Sequence, residues 1–521
     1  MQAKATGTRK TSKDNNLFSV LRAGFPTDMR ACAVETDSGL QYSWQDLEDA
    51  TSMVANMLES LECPKGARIA VQVEKSVEAM ILYMATLRAG FIYLPLNTAY
   101  QSAEMAYFIE DAKPSVVVCS GKNFGWISKL AFQCGTGYVF TLNDDRSGSL
   151  LERAAQFSRK HAIAACKADD LAAIIYTSGT TGRSKGAMLS HANLISNARV
   201  LQQYWDWRSA VQGGDVLIHA LPIFHVHGLF VAIHGALING SKMIWCANFG
   251  PKVALEKMAE ATVFMGVPTL YVRLLGEAGL TREAVRNMRL FISGSAPMLI
   301  ETFNDWQSRT GHTILERYGM SETVMLTSNP CKAQDGERVG GTVGFPLPGV
   351  QLRIAGEGGV VSGPGEIGAI EVKGPNVFQG YWNMPEKTAE EFTGDGFFKT
   401  GDVGHIDAQG YVTIVGRSKD LIISGGYNVY PAEIEGYINA IAGVAESALV
   451  GVPDADFGEV GVAVVVAKPG AQLEPASIIA QLKATLANFK IPKRCHVVKD
   501  LPRNAMGKVQ KNVLRSHYSG T

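Results

Sequence analysis

Between residues 67 and 119 the chain alternates between two hydrophobic rhythms. Short apolar runs at 69–73, 91–96 and 115–119 suit buried strands, and 76–88 and 103–112 carry helical spacing. That order predicts a parallel sheet covered by helices. The rhythm returns with a strand at 171–176 and with a helix from His191, for which Ser190 is a suitable cap. It further predicts a strand at 262–265, a helix with Pro268 in its first turn, and strands at 290–292 and 411–415. The C-terminal part has its own pattern: a helix from Pro431, strands at 445–450 and 461–466, and a helix over 476–486.

Length and composition set the organisation. With 521 residues, 46% of them hydrophobic, the chain exceeds one core, so an α/β fold of two domains is expected: a large one over 17–416 and a small α+β one over 417–521. Residues 1–16 carry Lys4, Arg9, Lys10 and Lys13 without the apolar core of a secretory signal, and are expected to form a disordered tail. Its shortness and Asp14 weigh against an organellar transit peptide. The 49 basic and 49 acidic residues balance, which excludes a bulk field for nucleic acid or membrane. Eight cysteines without a Cys-x-x-Cys pair exclude a disulfide framework and structural zinc, and fit the reducing cytoplasm. No apolar run approaches the roughly 20 residues of a membrane span.

One stretch suits no core: Tyr176-Thr177-Ser178-Gly179-Thr180-Thr181-Gly182-Arg183-Ser184-Lys185-Gly186. Its glycines let backbone N–H groups converge on an anion while the hydroxyls and Lys185 close around it, which makes a phosphate cradle. The Walker loop is excluded, because Ser184 stands five positions beyond Gly179 and Gly186 follows Lys185. The strand ahead and the helix from His191 behind would place the cradle near a helix N-terminus. In Glu316-Arg317-Tyr318-Gly319-Met320-Ser321-Glu322-Thr323, Tyr318 suits stacking on adenine, Ser321 a phosphate, and Glu322 a magnesium ion, which prefers oxygen ligands. Asp402 follows Gly401, where a turn residue is the plainer reading of that position alone. His225 and His227 are spaced as a metal pair, but no third ligand stands nearby.

In their order and spacing these stretches resemble the adenylate-forming superfamily of acyl-CoA synthetases, luciferases and peptide-synthetase adenylation domains. The resemblance runs from about Leu17 onward. It is also carried by Gly365-Glu366-Ile367-Gly368, Gly380-Tyr381-Trp382, Asp395-Gly396-Phe397-Phe398-Lys399-Thr400-Gly401-Asp402, Gly416-Arg417-Ser418-Lys419-Asp420 and Leu501-Pro502-Arg503-Asn504-Ala505-Met506-Gly507-Lys508-Val509. The resemblance implies a large domain of sheets sandwiched by helices and a mobile lid hinged near Lys419. It implies a nucleotide site of Thr177, Ser178, Gly179, Thr180, Thr181, Gly182, Lys185, Ser295, Ala296, Pro297, Glu316, Tyr318, Gly319, Ser321, Asp402 and Arg417. Ser321 stands where family members commonly have Thr. It makes Lys508 and Glu322 catalytic, with His225 beside them. His225, Met320, Ser295 and, less directly, His227 would line the acyl pocket, and Gly425 and Gly426 would help form the thiol tunnel. ATP, coenzyme A as substrate, and Mg²⁺ at Glu322 and Thr177 are the implied small molecules.

The segments Glu74-Lys75-Ser76-Val77-Glu78-Ala79, Pro95-Leu96-Asn97-Thr98-Ala99-Tyr100 and 289–297, together with Glu316 to Met320, are similar to the malonate-activating branch, the malonyl-CoA synthetases. That implies a ligase making malonyl-CoA through malonyl-AMP, with release of AMP and pyrophosphate. Malonate keeps a second carboxylate after activation, which calls for a fixed guanidinium. Arg289 is the first candidate and Arg273 the second; each has the competing role of pairing with a structural acid. The alternatives are a ligase for methylmalonate or another short acid, an adenylation enzyme loading a carrier protein, and a silent nucleotide-binding regulator. Glu322 and Lys508 argue against the last.

Overall fold

The computed structural model describes residues 11–177, 184–209, 214–424, 427–454, 456–504 and 507–519. The expected alternation builds a six-stranded sheet in the order Tyr138–Thr141, Val116–Cys119, Arg68–Gln72, Ile92–Pro95, Leu171–Thr177, Lys185–Ser190. All pairs in it are parallel except the last. Its inner parallel strands, Arg68–Gln72, Ile92–Pro95 and Val116–Cys119, are buried on both faces, which is why they read as unbroken apolar runs. The helix Val77–Arg88 is buried on all sides. It lies in a hydrophobic core that extends from this sheet to a second, nine-stranded one.

The second sheet runs Phe345–Pro346, Val324–Ser328, Leu315–Met320, Leu290–Ser293, Val263–Gly266, Val216–His219, Lys242–Trp245, Cys32–Thr36, Gln41–Ser43. Its six central strands are parallel, so their carboxyl ends share one edge, the usual location of a ligand crevice in α/β sheets. A four-stranded antiparallel sheet follows, of Gln351–Ala355, Gly368–Lys373, Phe398–Ile406 and Val412–Arg417. After the short turn Ser418–Asp420 the chain forms a five-stranded sheet with a separate hydrophobic cluster on each face. The strands Val444–Asp454 and Gly458–Ala467 and the helices Pro431–Asn439 and Pro475–Lys483 contain the expected segments or begin beside them.

Two expectations are corrected. Residues 12–16 are not a tail: the Ser12 N–H donates to the Cys166 carbonyl at 2.9 Å, and buried Asn16 donates to the Leu87 and Ala164 carbonyls at 2.8 and 3.0 Å. Asn16 also caps the helix Leu17–Arg22, whose Leu17, Phe18 and Leu21 are fully buried. The cradle, in turn, does not join a strand to a helix. Thr177 pairs with Lys185 and Tyr176 with Gly186, so its roots are the ends of an antiparallel hairpin. Ser190 does cap the helix His191–Tyr204 through a capping box with Asn193, but it sits opposite Leu171. That is five strand residues away, roughly 17 Å, and the dipole does not reach the loop.

All eight cysteines are free thiols. Among the described residues no helix is long and apolar enough to cross a membrane.

Candidate active site

The crevice lies where the parallel strands of the large sheet end, beneath a loop from the C-terminal sheet. Ser178, Gly179, Thr180, Thr181, Gly182, Gly425 and Gly426 lie outside the described residues. The roots of the cradle are described. The Lys185 ammonium is nearly enclosed, 4.2 Å over the Tyr381 ring and 3.5 Å from a Glu391 carboxylate oxygen. Tyr381 donates its hydroxyl to Glu322 at 3.0 Å, and the Thr177 hydroxyl approaches the same oxygen at 3.5 Å. Burial raises the Glu322 pKa, against the pull of Tyr381, Lys185 and Arg417. An oxygen-rich corner with a buried carboxylate at its centre is thus assembled from three distant segments.

Asp402 and Arg417 face each other across adjacent strands and form an ion pair at 3.0 Å. Asp402 also accepts the Tyr318 hydroxyl at 2.5 Å. The Tyr318 hydroxyl is therefore committed to Asp402. At Gly319 an added Cβ would fall 1.8 Å from the Val324 carbonyl oxygen, so only glycine fits there. The Glu316 carboxylate accepts the Gly341 N–H at 2.9 Å, and burial pushes its pKa up to about 7. Ser321 and Met320 are half-buried near the end of the same strand.

Lys508 enters from the C-terminal sheet. Its loop is closed by Asn504, whose side chain accepts the Lys508 N–H at 3.0 Å, and Gly507 holds φ +73° against Thr269 of the large sheet's helix Pro268–Leu275. Burial and then the Arg417 charge lower the Lys508 pKa to about 8, against the pull of Asp402 and Glu322. Lys419 is exposed in the turn Ser418–Asp420, between the last strand of the four-stranded sheet and the first of the C-terminal one.

The turn Ser295-Ala296-Pro297 follows the strand Leu290–Ser293, and Ser295 holds φ +72°, a strained conformation for a residue with a side chain. Its hydroxyl lies 3.4 Å from Nδ1 of His227. His227 begins a π-helical stretch through Ile233, and His225 stands just before it. Burial, then Lys508 and Arg317, lower the His225 pKa to about 3, so this ring is neutral at physiological pH.

Neither predicted arginine reaches this crevice. Arg289 makes a bidentate pair with fully buried Asp215, at 2.8 and 2.5 Å, and a further bond to the Trp205 carbonyl. It precedes the strand Leu290–Ser293, at the end opposite the Ser295 turn. Arg273 is exposed on the helix Pro268–Leu275. A further cation in the crevice is Arg317, a residue given no role above. It is 3% exposed, and its Nε and Nη2 are buried without a hydrogen-bond partner. Burial depresses its pKa to about 9. Its guanidinium lies flat against Gly294, where an added Cβ would fall 2.4 Å from Nη1, and its charge reaches His225, His227 and Lys508. Among the described residues it has no counter-ion, and a buried cation so placed is costly and calls for an anionic ligand. The available signal was an arginine one residue past Glu316, where the parallel pairing with Leu290–Ser293 ends.

The profile of the AMP-binding enzymes matches residues 22–382, and that of the AMP-binding enzyme C-terminal domain matches 433–508. A malonate–CoA ligase of Arabidopsis thaliana is 34% identical, over 97% of this chain and 90% of the plant protein. The crystal structure of ATP-bound MatB from Rhodopseudomonas palustris is 54% identical and superposes with a TM-score of 0.93, over 97% of this chain and 99% of that one. The apo form of MatB superposes less closely over the same shares, at 0.83 with 53% identity. The chain belongs to the AMP-binding, adenylate-forming enzyme family.

Proposed function

We propose that this enzyme is an AMP-forming ligase that joins malonate to coenzyme A through a malonyl adenylate. The observation that carries the choice of acid is Arg317, an unpaired, buried guanidinium beside Ser295, His225 and His227. The plant relative's activity on malonate supports the same reading. One malonate carboxylate lies toward Lys508, and the other pairs with Arg317.

In the first half-reaction an oxygen of the free carboxylate attacks the α-phosphorus of ATP. The new O–P bond forms as the bond to the β-phosphate oxygen breaks, and pyrophosphate leaves. Lys508 offsets the charge that develops on the transferring phosphate, and Lys185 holds the leaving end. Asp402, set by Tyr318 and Arg417, accepts hydrogen bonds from the ribose hydroxyls. The residues at Glu322 fit a magnesium ion, because that ion takes one carboxylate and completes its shell with substrate phosphates and water. When bound, it neutralises phosphate charge; Glu322 and Thr177 would hold it. In the second half-reaction the domain over 417–521 turns about Lys419, Lys508 withdraws, and the coenzyme A thiol attacks the mixed anhydride, releasing AMP.

A charge-assisted hydrogen bond contributes about 1.5–3 kcal/mol, so Arg317→Leu is expected to lower kcat/KM for malonate by roughly ten- to a hundredfold. Assayed by pyrophosphate release with malonate, methylmalonate and acetate, both diacids lose rate while acetate is unchanged or improved. An equal loss on acetate would show that Arg317 does not read the second carboxylate.

A further inference from the structure

Glu391 is used by no step above, yet it makes the ion pair with Lys185. It follows the short helix Pro385–Glu390 and is 22% exposed, whereas the Lys185 side chain is 8% exposed. One oxygen of Glu391 serves two lysines, Lys185 at 3.5 Å and Lys387 at 3.1 Å. The Lys185 ammonium thus rests between a carboxylate and the Tyr381 ring, and that ring carries the hydroxyl bonded to Glu322.

This arrangement suits exchange. An enclosed ammonium without a partner is costly, so Lys185 needs an anion whether or not a triphosphate is present. Glu391 keeps Lys387 when Lys185 leaves, so the carboxylate is not stranded by the switch. The backbone position of Lys185, paired with Thr177 at the root of the hairpin, does not have to move.

We propose that Glu391 is the resting counter-ion of Lys185, releasing it to an incoming triphosphate and reclaiming it as pyrophosphate departs. The role rests on the reading that Lys185 grips the phosphate end of ATP. Glu391 thereby competes with phosphate for one ammonium, weakens the grip on both ATP and pyrophosphate, and favours product release. It is a positioning residue, acting through Lys185.

The test uses Glu391→Gln, which keeps the shape and removes the charge, in the full-length enzyme. ATP affinity is measured by calorimetry and pyrophosphate affinity by product inhibition, with Lys185→Met and the double variant in parallel. Both affinities are expected to tighten together by about fivefold, the scale of a partly exposed ion pair. In the Lys185→Met background Glu391→Gln should then have no further effect. Structural damage would weaken binding, so tightening is diagnostic. If Glu391→Gln leaves both affinities unchanged or weaker while Lys185→Met weakens them, the counter-ion role is overturned and the phosphate reading stands. If Lys185→Met itself changes neither, the phosphate reading fails and the inference with it.

Discussion

At the scale of single residues, the crevice shifts the pH at which its groups change charge. Lys508 is the clearest case, with a pKa lowered to about 8 chiefly by burial. If its positive charge assists the first half-reaction, adenylation falls as pH rises through that value, because the neutral amine cannot offset phosphate charge. Pyrophosphate release between pH 6.5 and 9.5, about 1.5 units either side of that pKa, should show a descending limb near 8. Lys508→Arg, which stays charged, should lack that limb even if slower. Lys508→Ala should lose adenylation yet still convert supplied malonyl-AMP and coenzyme A, since the amine is needed only in the first step. Identical limbs in wild type and Lys508→Arg would mean that another group titrates. His225, neutral with its pKa near 3, contributes shape and no charge over that range.

At the scale of elements, the position of a residue along its strand decides its role. Arg289 precedes Leu290–Ser293 and is locked to buried Asp215, so Arg289→Ala strands a carboxylate in the core. Breaking such a pair costs about 3–5 kcal/mol. Denaturant unfolding should show that loss, while the ratio of malonate to acetate rates stays the same. A shift in that ratio would return Arg289 to the substrate. The strands at 69–73, 91–96, 115–119 and 262–265 were legible in the sequence because they are buried on both faces and read as apolar runs, whereas Cys32–Thr36, Val216–His219 and Lys242–Trp245 were not read. Other features were hidden for physical reasons. The run after Lys185 carries no strand marker that separates it from a loop entering a helix, so the hairpin was missed. Arg289 precedes the apolar strand Leu290–Ser293 and Arg317 lies in the mixed strand Leu315–Met320, and only register shows which one ends at the crevice. Asn16 looked like a tail residue because its partners, Leu87 and Ala164, are far away in the chain.

At the scale of the whole molecule, two of the contacts among the described residues that hold the C-terminal sheet over the crevice bear on the proposed turning. The Lys508 loop touches Thr269, and Lys468 reaches Glu301 on the large domain at 3.1 Å. The whole chain superposes more closely on the ATP-bound than on the apo form of the bacterial relative. On the proposed turning about Lys419, the Lys468–Glu301 pair belongs to the arrangement with Lys508 inserted and is expected to bias the enzyme toward adenylation. Both side chains are about half exposed, and a pair of this kind shifts an equilibrium by no more than about fivefold. Glu301→Lys should therefore slow pyrophosphate release by up to about that factor at low ionic strength. Conversion of supplied malonyl-AMP with coenzyme A should be unchanged or faster, because that step uses the other arrangement. Salt at about 1 M, where the screening length falls to roughly 3 Å, should erase the difference between variant and wild type. A uniform slowing of both half-reactions, or one indifferent to salt, would show that the pair plays no part in choosing between the two arrangements.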